Sequence, residues 1–254
     1  MTTSLKGRTA LVTGAGRGVG RSVALRLAEA GVAVALVARS RDELAETAVQ
    51  VKELGADALV IPADLGDPDQ VAGIAGRTAS ELGAIGILIN NAAVVAPLGP
   101  VVQAEPAAWT AAVQLNVIAP AMLTLAVLPG MIEANWGRIV NVSSGIAARP
   151  GAMPGMNAYA TSKAALEAHT LNLAAELAGT GVTVNIFRPG SVDTVMQAWI
   201  RAQDPAQIGA ALHARFTRSY SEGALITADT SARSLLDHLN GQGSGEIWEA
   251  PTPS

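Results

Sequence analysis

The chain has 254 residues, half of them hydrophobic and 15% charged, with a formal net charge of −4. That length buries roughly three quarters of the surface exposed by the unfolded chain, so one large globular core is expected. The acidic balance and the lack of a Lys/Arg cluster exclude a nucleic-acid surface, no uninterrupted apolar run reaches a membrane span, and the absence of cysteine excludes disulfides and thiolate metal sites.

Met1 to Lys6 has no apolar stretch of the kind a signal peptide needs, which makes the cytoplasm the expected location. Arg8 to Thr13 is short and β-rich and runs into a glycine cluster. From Arg21 the spacing of Val23 and Leu27 predicts a helix that Gly31 ends. Val32 to Ala38 reads as the second strand. Leu44, Ala48 and Val51 then recur at helical spacing up to Gly55. Ala58–Ile61 is read as strand, Pro68–Leu82 as one helix and Gly86–Asn90 as strand. A long helix is expected from Pro106 to about Met131, bent at Pro120. Gly137–Ser143 follows as strand, Asn157–Ala178 as helix and Val182–Phe187 as strand.

Nearly all-apolar strands, each followed by a helix, mean a parallel sheet covered on both faces. The expected fold class is therefore α/β: a single-domain, Rossmann-type, doubly wound parallel β-sheet over residues 1–254. Ser191 to Glu222 has no clean period. It leaves the sheet edge where ligands bind in such folds, so it reads as a substrate-covering lid, with a plain surface helix pair as the alternative.

The first strand meets Thr13-Gly14-Ala15-Gly16-Arg17-Gly18-Val19-Gly20 and then a helix. Glycines let the backbone approach a pyrophosphate, and the helix N-terminus supplies free N–H groups and partial positive charge. A dinucleotide is the ligand this predicts. At the end of the second strand, where an NAD site places an acid on the ribose, the chain has Arg39-Ser40-Arg41. Arg39, with Arg17 on the same side, can fork onto a 2′-phosphate, so NADP(H) is expected in preference to NAD(H). The alternative is two ordinary solvated arginines.

Tyr159 and Lys163 stand one turn apart near the start of a predicted helix and share a face. A phenol with an ordinary pKa near 10 is a poor base, and each unit of depression needs about 1.4 kcal/mol of differential interaction. An ammonium beside it, with an oxidised nicotinamide, would favour the phenolate. Such a tuned phenol can give a proton to an alkoxide or take one from an alcohol. Elsewhere, Tyr and Lys at this spacing more often form a surface pair.

These residues together resemble the short-chain dehydrogenase/reductase family over essentially the whole chain. Thr13 to Gly20 is similar to its glycine loop, Tyr159 and Lys163 to its Tyr-x-x-x-Lys. Asp64-Leu65 resembles the segment beside the adenine, and Asn90-Asn91-Ala92-Ala93 the segment that steadies the central sheet near the cofactor. Asn116 resembles the asparagine anchoring a proton-relay water. Ser144, in Val142-Ser143-Ser144, resembles the serine that holds the substrate oxygen. Pro189-Gly190-Ser191-Val192-Asp193-Thr194 is similar to the loop at the nicotinamide. The resemblance implies carbonyl–alcohol interconversion by hydride transfer. Tyr159 would be the general acid/base, Lys163 would bind the nicotinamide ribose, and Asn116 would link Lys163 to solvent through water.

Three departures stand out. Ala93 replaces a usual glycine. Ser144 precedes Tyr159 by fifteen residues, about two more than is usual, leaving open whether Ser143 or Ser144 faces the substrate. The tail, Gly245 to Ala250, lacks the common closing Asp-Gly-Gly. His169, His213 and His238 are too scattered for a metal site, and no nucleophile elbow is present. The four tryptophans read as core or interface residues. A non-catalytic dinucleotide sensor on the same fold would not need Tyr159, Lys163, Ser144 and Asn116 together. A carbon–carbon double-bond reductase of this family would space its Tyr and Lys more widely. Val195, Met196, Trp199, Ile200, Phe216, Met153 and Met156 fit a small hydrophobic ketone, aldehyde or alcohol as substrate, and equally the packing of the lid. Small residues Ala164, Ala165 and Ala168 permit close helix approach, so a homodimer or homotetramer is expected.

Overall fold

The computed structural model describes residues 5–252; residues 1–4 of the N-terminal stretch read above lie outside it. Seven strands form one parallel sheet: β1 (Thr9–Thr13), β2 (Ala33–Ala38), β3 (Ala58–Pro62), β4 (Ile85–Asn90), β5 (Gly137–Val142), β6 (Val182–Arg188) and β7 (Ile247–Glu249). Their spatial order is β3-β2-β1-β4-β5-β6-β7, and every neighbouring pair is parallel. The direction of winding reverses between β1 and β4, which opens a crevice at their carboxyl ends.

Strand residues are buried on both faces because helices cover both. Along β1, Ala10 and Val12 enter one core layer while Leu11 enters the other; Ile87 and Ile89 of β4 alternate with Leu88 in the same way. One layer is closed by α1 (Gly18–Glu29), α2 (Arg41–Glu53) and α11 (Ala228–Leu239), through Val23, Leu27, Leu44 and Leu235. The other is closed by α4 (Ile74–Leu82), α6 (Ala119–Glu133) and the end of α7 (Asn157–Glu176). Each fully buried Leu or Ile contributes about 1.5–3 kcal/mol to this core.

Helix boundaries follow local chemistry. Ser40 Oγ accepts the amide of Glu43 at the start of α2, and Asp67 caps α3 (Pro68–Ala72) with proline in its first turn. The single helix expected over Pro68–Leu82 is two, broken at Gly73, which is poor in a helix interior. The long helix is not simply bent at Pro120. After α5 (Pro106–Val113) it widens into a π turn at Gln114–Ile118, so Pro120 falls in the first turn of α6, where a missing N–H costs little. By length and composition the Pro106–Glu133 stretch is apolar enough to cross a membrane, an 18-residue window of it having mean hydropathy 1.9. Here it lies along the sheet, with Leu123, Val127 and Met131 in the core and Leu125 bare.

Candidate active site

The loop after β1 is shaped to leave backbone uncovered. Gly14 has φ +66°, and a Cβ on Gly20 would overlap the Gly14 carbonyl and the Asn91 amide. Asn91 Nδ2 donates to the Thr13 carbonyl at 2.9 Å and the Gly14 carbonyl at 3.4 Å. Thr13 Oγ1 accepts the amides of Asn91 and Ala92 at 2.9 and 3.0 Å, so the ends of β1 and β4 are tied together. The first turn of α1 has no side-chain cap, leaving its N–H groups without a side-chain partner, with Val19 packed against the core. The site thus fits a pyrophosphate: a tight glycine turn whose close backbone packing leaves no room for a Cβ at Gly14 or Gly20, at the positive end of a helix.

Around it stand the other expected binding residues. Gly18 lies beside Thr194, whose methyl would be 3.4 Å from a Cβ there, so the glycine loop and the Pro189–Thr194 loop line one cleft. Pro189 is fixed by Ser231 Oγ at 2.9 Å, Val192 is buried and bridges to Ile226, and Gly190 packs near Ile226. Thr194 caps α8 (Val195–Arg201). Asp64 is exposed and turns back on the Gly66 amide at 2.9 Å, while Leu65 is buried. Ala93 is half-buried in the irregular segment after β4. Gly16 backs onto the Glu43 side chain, and Arg17 is paired with that same Glu43 at 3.1 Å. Arg39 is exposed and has no ion pair among the described residues.

Across the cleft, Tyr159 and Lys163 are both buried on α7, with the Lys163 ammonium 5.7 Å from the Tyr159 ring centre. Lys163 Nζ donates to the Val142 carbonyl at 2.7 Å, at the end of β5. Ser144 Oγ accepts the Ile146 amide at 3.4 Å and lies close enough to the Tyr159 hydroxyl to favour its ionised form. Ser143 instead donates to Glu167 at 2.7 Å, so its hydroxyl is already engaged, and Ser144 is the phenol's serine neighbour. Two short 3₁₀ turns, Gly145–Ala148 and Pro150–Ala152, absorb the longer Ser144–Tyr159 spacing. Burial pushes the Tyr159 phenol up from its ordinary pKa, opposed by the Ser144 hydroxyl beside it. Burial lowers Lys163 to about 8, with the Glu167 carboxylate opposing. Asn116 sits in the π turn and grips Val94: Oδ1 accepts its amide at 2.9 Å, and Nδ2 donates to its carbonyl at 2.8 Å. Nδ2 also donates to Ser162 Oγ at 3.0 Å, which donates to the Tyr159 carbonyl at 2.9 Å. Asn116 therefore reaches Tyr159 through the α7 backbone, with no direct bond to Lys163 among the described residues.

The chain matches the short chain dehydrogenase family over residues 8–205. It belongs to the short-chain dehydrogenase/reductase family. Over 197 residues it is 42% identical to a short chain dehydrogenase of Pseudocercospora fijiensis, covering 76% of this chain and 62% of that protein, under two thirds of the relative's length. It is 35% identical over 207 residues to a 3-oxoacyl-acyl-carrier-protein reductase of Pseudomonas aeruginosa, covering 81% and 83%. Among solved structures, a short chain dehydrogenase of Burkholderia cenocepacia in complex with NADP aligns with TM-score 0.82 and 32% identity, covering 98% of both chains. An NAD+-bound xylitol dehydrogenase aligns with TM-score 0.84 and 27% identity, covering 97% of this chain and 98% of that one.

In this dehydrogenase/reductase, residues 195–221 form three helices, α8, α9 (Pro205–Ile208) and α10 (Ala210–Ser221). Ile200, Ile208 and Leu212 pack with Tyr159, Val95, Ile146 and Met156 in a third apolar cluster; Met153, Met196 and Phe216 flank it, while Val195 and Trp199 point outward. Sequence reading missed two groups. Glu43, which holds Arg17, has no motif to mark it. Glu167 and Arg188, joined beside Lys163, left a signal in the spacing of Lys163 and Glu167, one helical turn apart.

Proposed function

We propose that this protein interconverts a carbonyl and an alcohol with NADP(H), preferred over NAD(H), and with Tyr159 as general acid/base. The observation that carries the reading is the burial of Tyr159 and Lys163 side by side on α7, the ammonium 5.7 Å from the phenol ring centre, with Ser144 beside the phenol. Gly14 to Gly20 would hold the pyrophosphate, Arg39 and Arg17 the 2′-phosphate, Asp64 and Leu65 the adenine side, and Asn91 to Ala93 with Pro189 to Thr194 the nicotinamide side. The bound dinucleotide supplies or accepts the hydride.

The residues manage the proton. With its pKa held up by burial, Tyr159 carries its proton at neutral pH and can donate it from Oη to a developing alkoxide. Ser144 Oγ is placed to hold the same oxygen. Lys163, still largely protonated at pH 7, stabilises the phenolate left behind. Alcohol oxidation needs that phenolate at the outset and should therefore rise with pH, while carbonyl reduction is favoured at neutral pH and below.

The cluster of Ile200, Ile208, Leu212 and Met156 over Tyr159 supports reading residues 191–222 as the substrate cover and a small hydrophobic ketone, aldehyde or alcohol as substrate. Exposed apolar side chains, Ile118 of the π turn, Leu125 and Ile132 of α6 and Leu171 of α7, support pairing with a second copy as a homodimer or homotetramer. A non-catalytic sensor would have no use for the buried Tyr159–Ser144–Lys163 group. The test is nicotinamide absorbance during turnover of a carbonyl and alcohol panel with either dinucleotide, beside Tyr159→Phe. The expected result is NADP(H)-preferring turnover that falls about 10²–10⁴-fold in the variant; retained turnover there overturns the assignment.

A further inference from the structure

Next to the proposed proton-handling pair lies a buried charge network to which that mechanism gives no task. Glu167, one turn after Lys163 on α7, accepts three hydrogen bonds: from Ser143 Oγ at 2.7 Å, and from Arg188 Nε and Nη2 at 2.9 Å each. Both side chains of the ion pair are nearly nine-tenths buried, at 11% and 12% exposure. Arg188 also donates from Nη1 to Glu249 of β7 at 2.7 Å, at the protein's rim. The charged groups facing the Glu167 carboxylate are thus Lys163 and Arg188, with Glu249 beyond Arg188; β5 adds only the neutral Ser143.

The anchor points explain why this matters. Ser143 stands between Val142, whose carbonyl holds Lys163 Nζ, and Ser144, which meets the Tyr159 hydroxyl. Arg188 immediately precedes the Pro189–Gly190 turn of the opposite loop. One carboxylate therefore pins the end of β5 to α7 and to the start of the β6 loop. It also stands as the negative charge next to Lys163, and Arg188 neutralises part of it. Lone buried ion pairs are weak sources of stability, since desolvation offsets attraction; a bidentate pair with a third donor, placed here, has a different use.

We infer that Glu167 is a positioning residue for the Tyr159–Lys163 pair: it fixes the Val142–Ser144 strand end against both side chains and, with Arg188 as counterweight, sets the electric field in which the phenol gives up its proton. This rests on the reading of Tyr159 as the acid/base group. The balance has a sign that can be tested from both directions. Removing the carboxylate charge with Glu167→Gln makes the site more positive, so Tyr159 should ionise at lower pH. Removing the guanidinium with Arg188→Gln leaves the carboxylate less compensated, so Tyr159 should ionise at higher pH. Simple structural damage has no reason to move the two variants in opposite directions.

The chain has two tyrosines, Tyr159 and Tyr220, so a Tyr220→Phe background leaves one titrating phenol. Near-ultraviolet absorbance of tyrosinate, followed against pH with and without saturating NADP+, reads it without any substrate. The expected result is a shift of about one pH unit downward for Glu167→Gln and upward for Arg188→Gln, with Glu167→Asp close to the parent. Each variant tests the inference alone if the other fails to fold. Shifts below a tenth of a unit, or shifts of the same sign in both, overturn it. If Tyr159→Phe keeps turnover across the carbonyl panel, the acid/base reading itself fails; if that variant is inactive but the titrations do not move, only the role of Glu167 does.

Discussion

Around the glycine loop, the arginines proposed to read the ribose 2′-phosphate lie at the surface. Arg39 is exposed, and Arg17 is 57% exposed even while paired with Glu43. What is rigid on that side is backbone: the turn of Gly14, the Thr13 hydroxyl bridging two amides, and the Asn91 amide on two carbonyls. Across the cleft the arrangement is reversed. Tyr159, Lys163, Glu167 and Arg188 are ionisable side chains withdrawn from water and held by one another and by the end of β5. A surface charge is screened and contributes about 0–1 kcal/mol, so it can be exchanged with little harm to the fold. A buried charge acts strongly on its neighbours but costs stability, so it must come with partners. Affinity for the dinucleotide is therefore expected to depend on shape, selectivity on exposed charge, and chemistry on buried charge.

The largest effect should come from breaking the shape. Gly20→Ala places a methyl group on the Gly14 carbonyl and the Asn91 amide, both parts of the rigid frame. Overpacking against backbone costs about 1–3 kcal/mol. Fluorescence titration should show NADPH and NADH affinity falling together by about 100-fold, with catalysis at saturation less affected. An unchanged dissociation constant would show that the cradle does not hold the phosphates.

Next comes the buried charge. Lys163 carries a pKa of about 8 in the folded protein against an ordinary 10.5. Below pH 8 the fold bears the full cost of burying the ammonium, roughly 3 kcal/mol at about 1.4 kcal/mol per unit. Between 8 and 10.5 the unfolded chain binds more protons than the folded one, so stability rises with pH. Lys163→Met removes that cost and leaves the Val142 carbonyl without its donor, a loss of about 1 kcal/mol. Thermal unfolding of the dinucleotide-free protein should show the variant about 2 kcal/mol more stable at pH 7 and about 1 kcal/mol less stable above pH 10.5, where only the lost hydrogen bond remains. A less stable variant at pH 7 would break the contrast between the two sides of the cleft.

That contrast also explains what the sequence could reveal. Strand and helix order is legible because both-face burial writes continuous apolar runs, and Tyr159 and Lys163 are legible because one helical turn separates them. The π turn at Gln114–Ile118 is not, since Asn116 earns its place there through Val94 and Ser162, neither marked by local spacing. The break at Gly73 hides inside a pattern whose apolar positions, Val71, Ile74 and Ala75, suit one helix or two. The choice of Ser144 over Ser143 depends on Glu167, 24 residues beyond Ser143, and Arg188, 21 further on. Contacts of that kind exist only once the sheet has brought β5, α7 and β6 together.

At the surface the effects should be smaller and confined to selectivity. Arg39→Asp removes an exposed arginine that has no ion pair among the described residues, at the end of β2, and adds an acid where a ribose hydroxyl can donate. NADPH affinity should fall about tenfold or somewhat more while NADH affinity holds or improves, as expected for one charge-assisted contact of about 1.5–3 kcal/mol. Equal losses for both dinucleotides would show that Arg39 shapes the loop and does not read the phosphate.

The smallest effect isolates Arg17. Its guanidinium already has a partner in Glu43, at 3.1 Å with both groups partly in solvent, so a 2′-phosphate must compete with that carboxylate for it. Glu43→Gln keeps the side-chain bulk against Gly16 and the backbone amide that Ser40 caps, and removes only the competing charge. NADPH should then bind about two- to fivefold tighter, in keeping with the modest strength of an exposed ion pair, with NADH unchanged. Because the released interaction is solvent-exposed, the gain should vanish near 1 M salt, where the screening length is about 3 Å. A gain that survives high salt, or one shared by NADH, would mean that Glu43 acts through the fold of the glycine loop, and Arg17 would then belong with the rigid frame and not with the exchangeable surface.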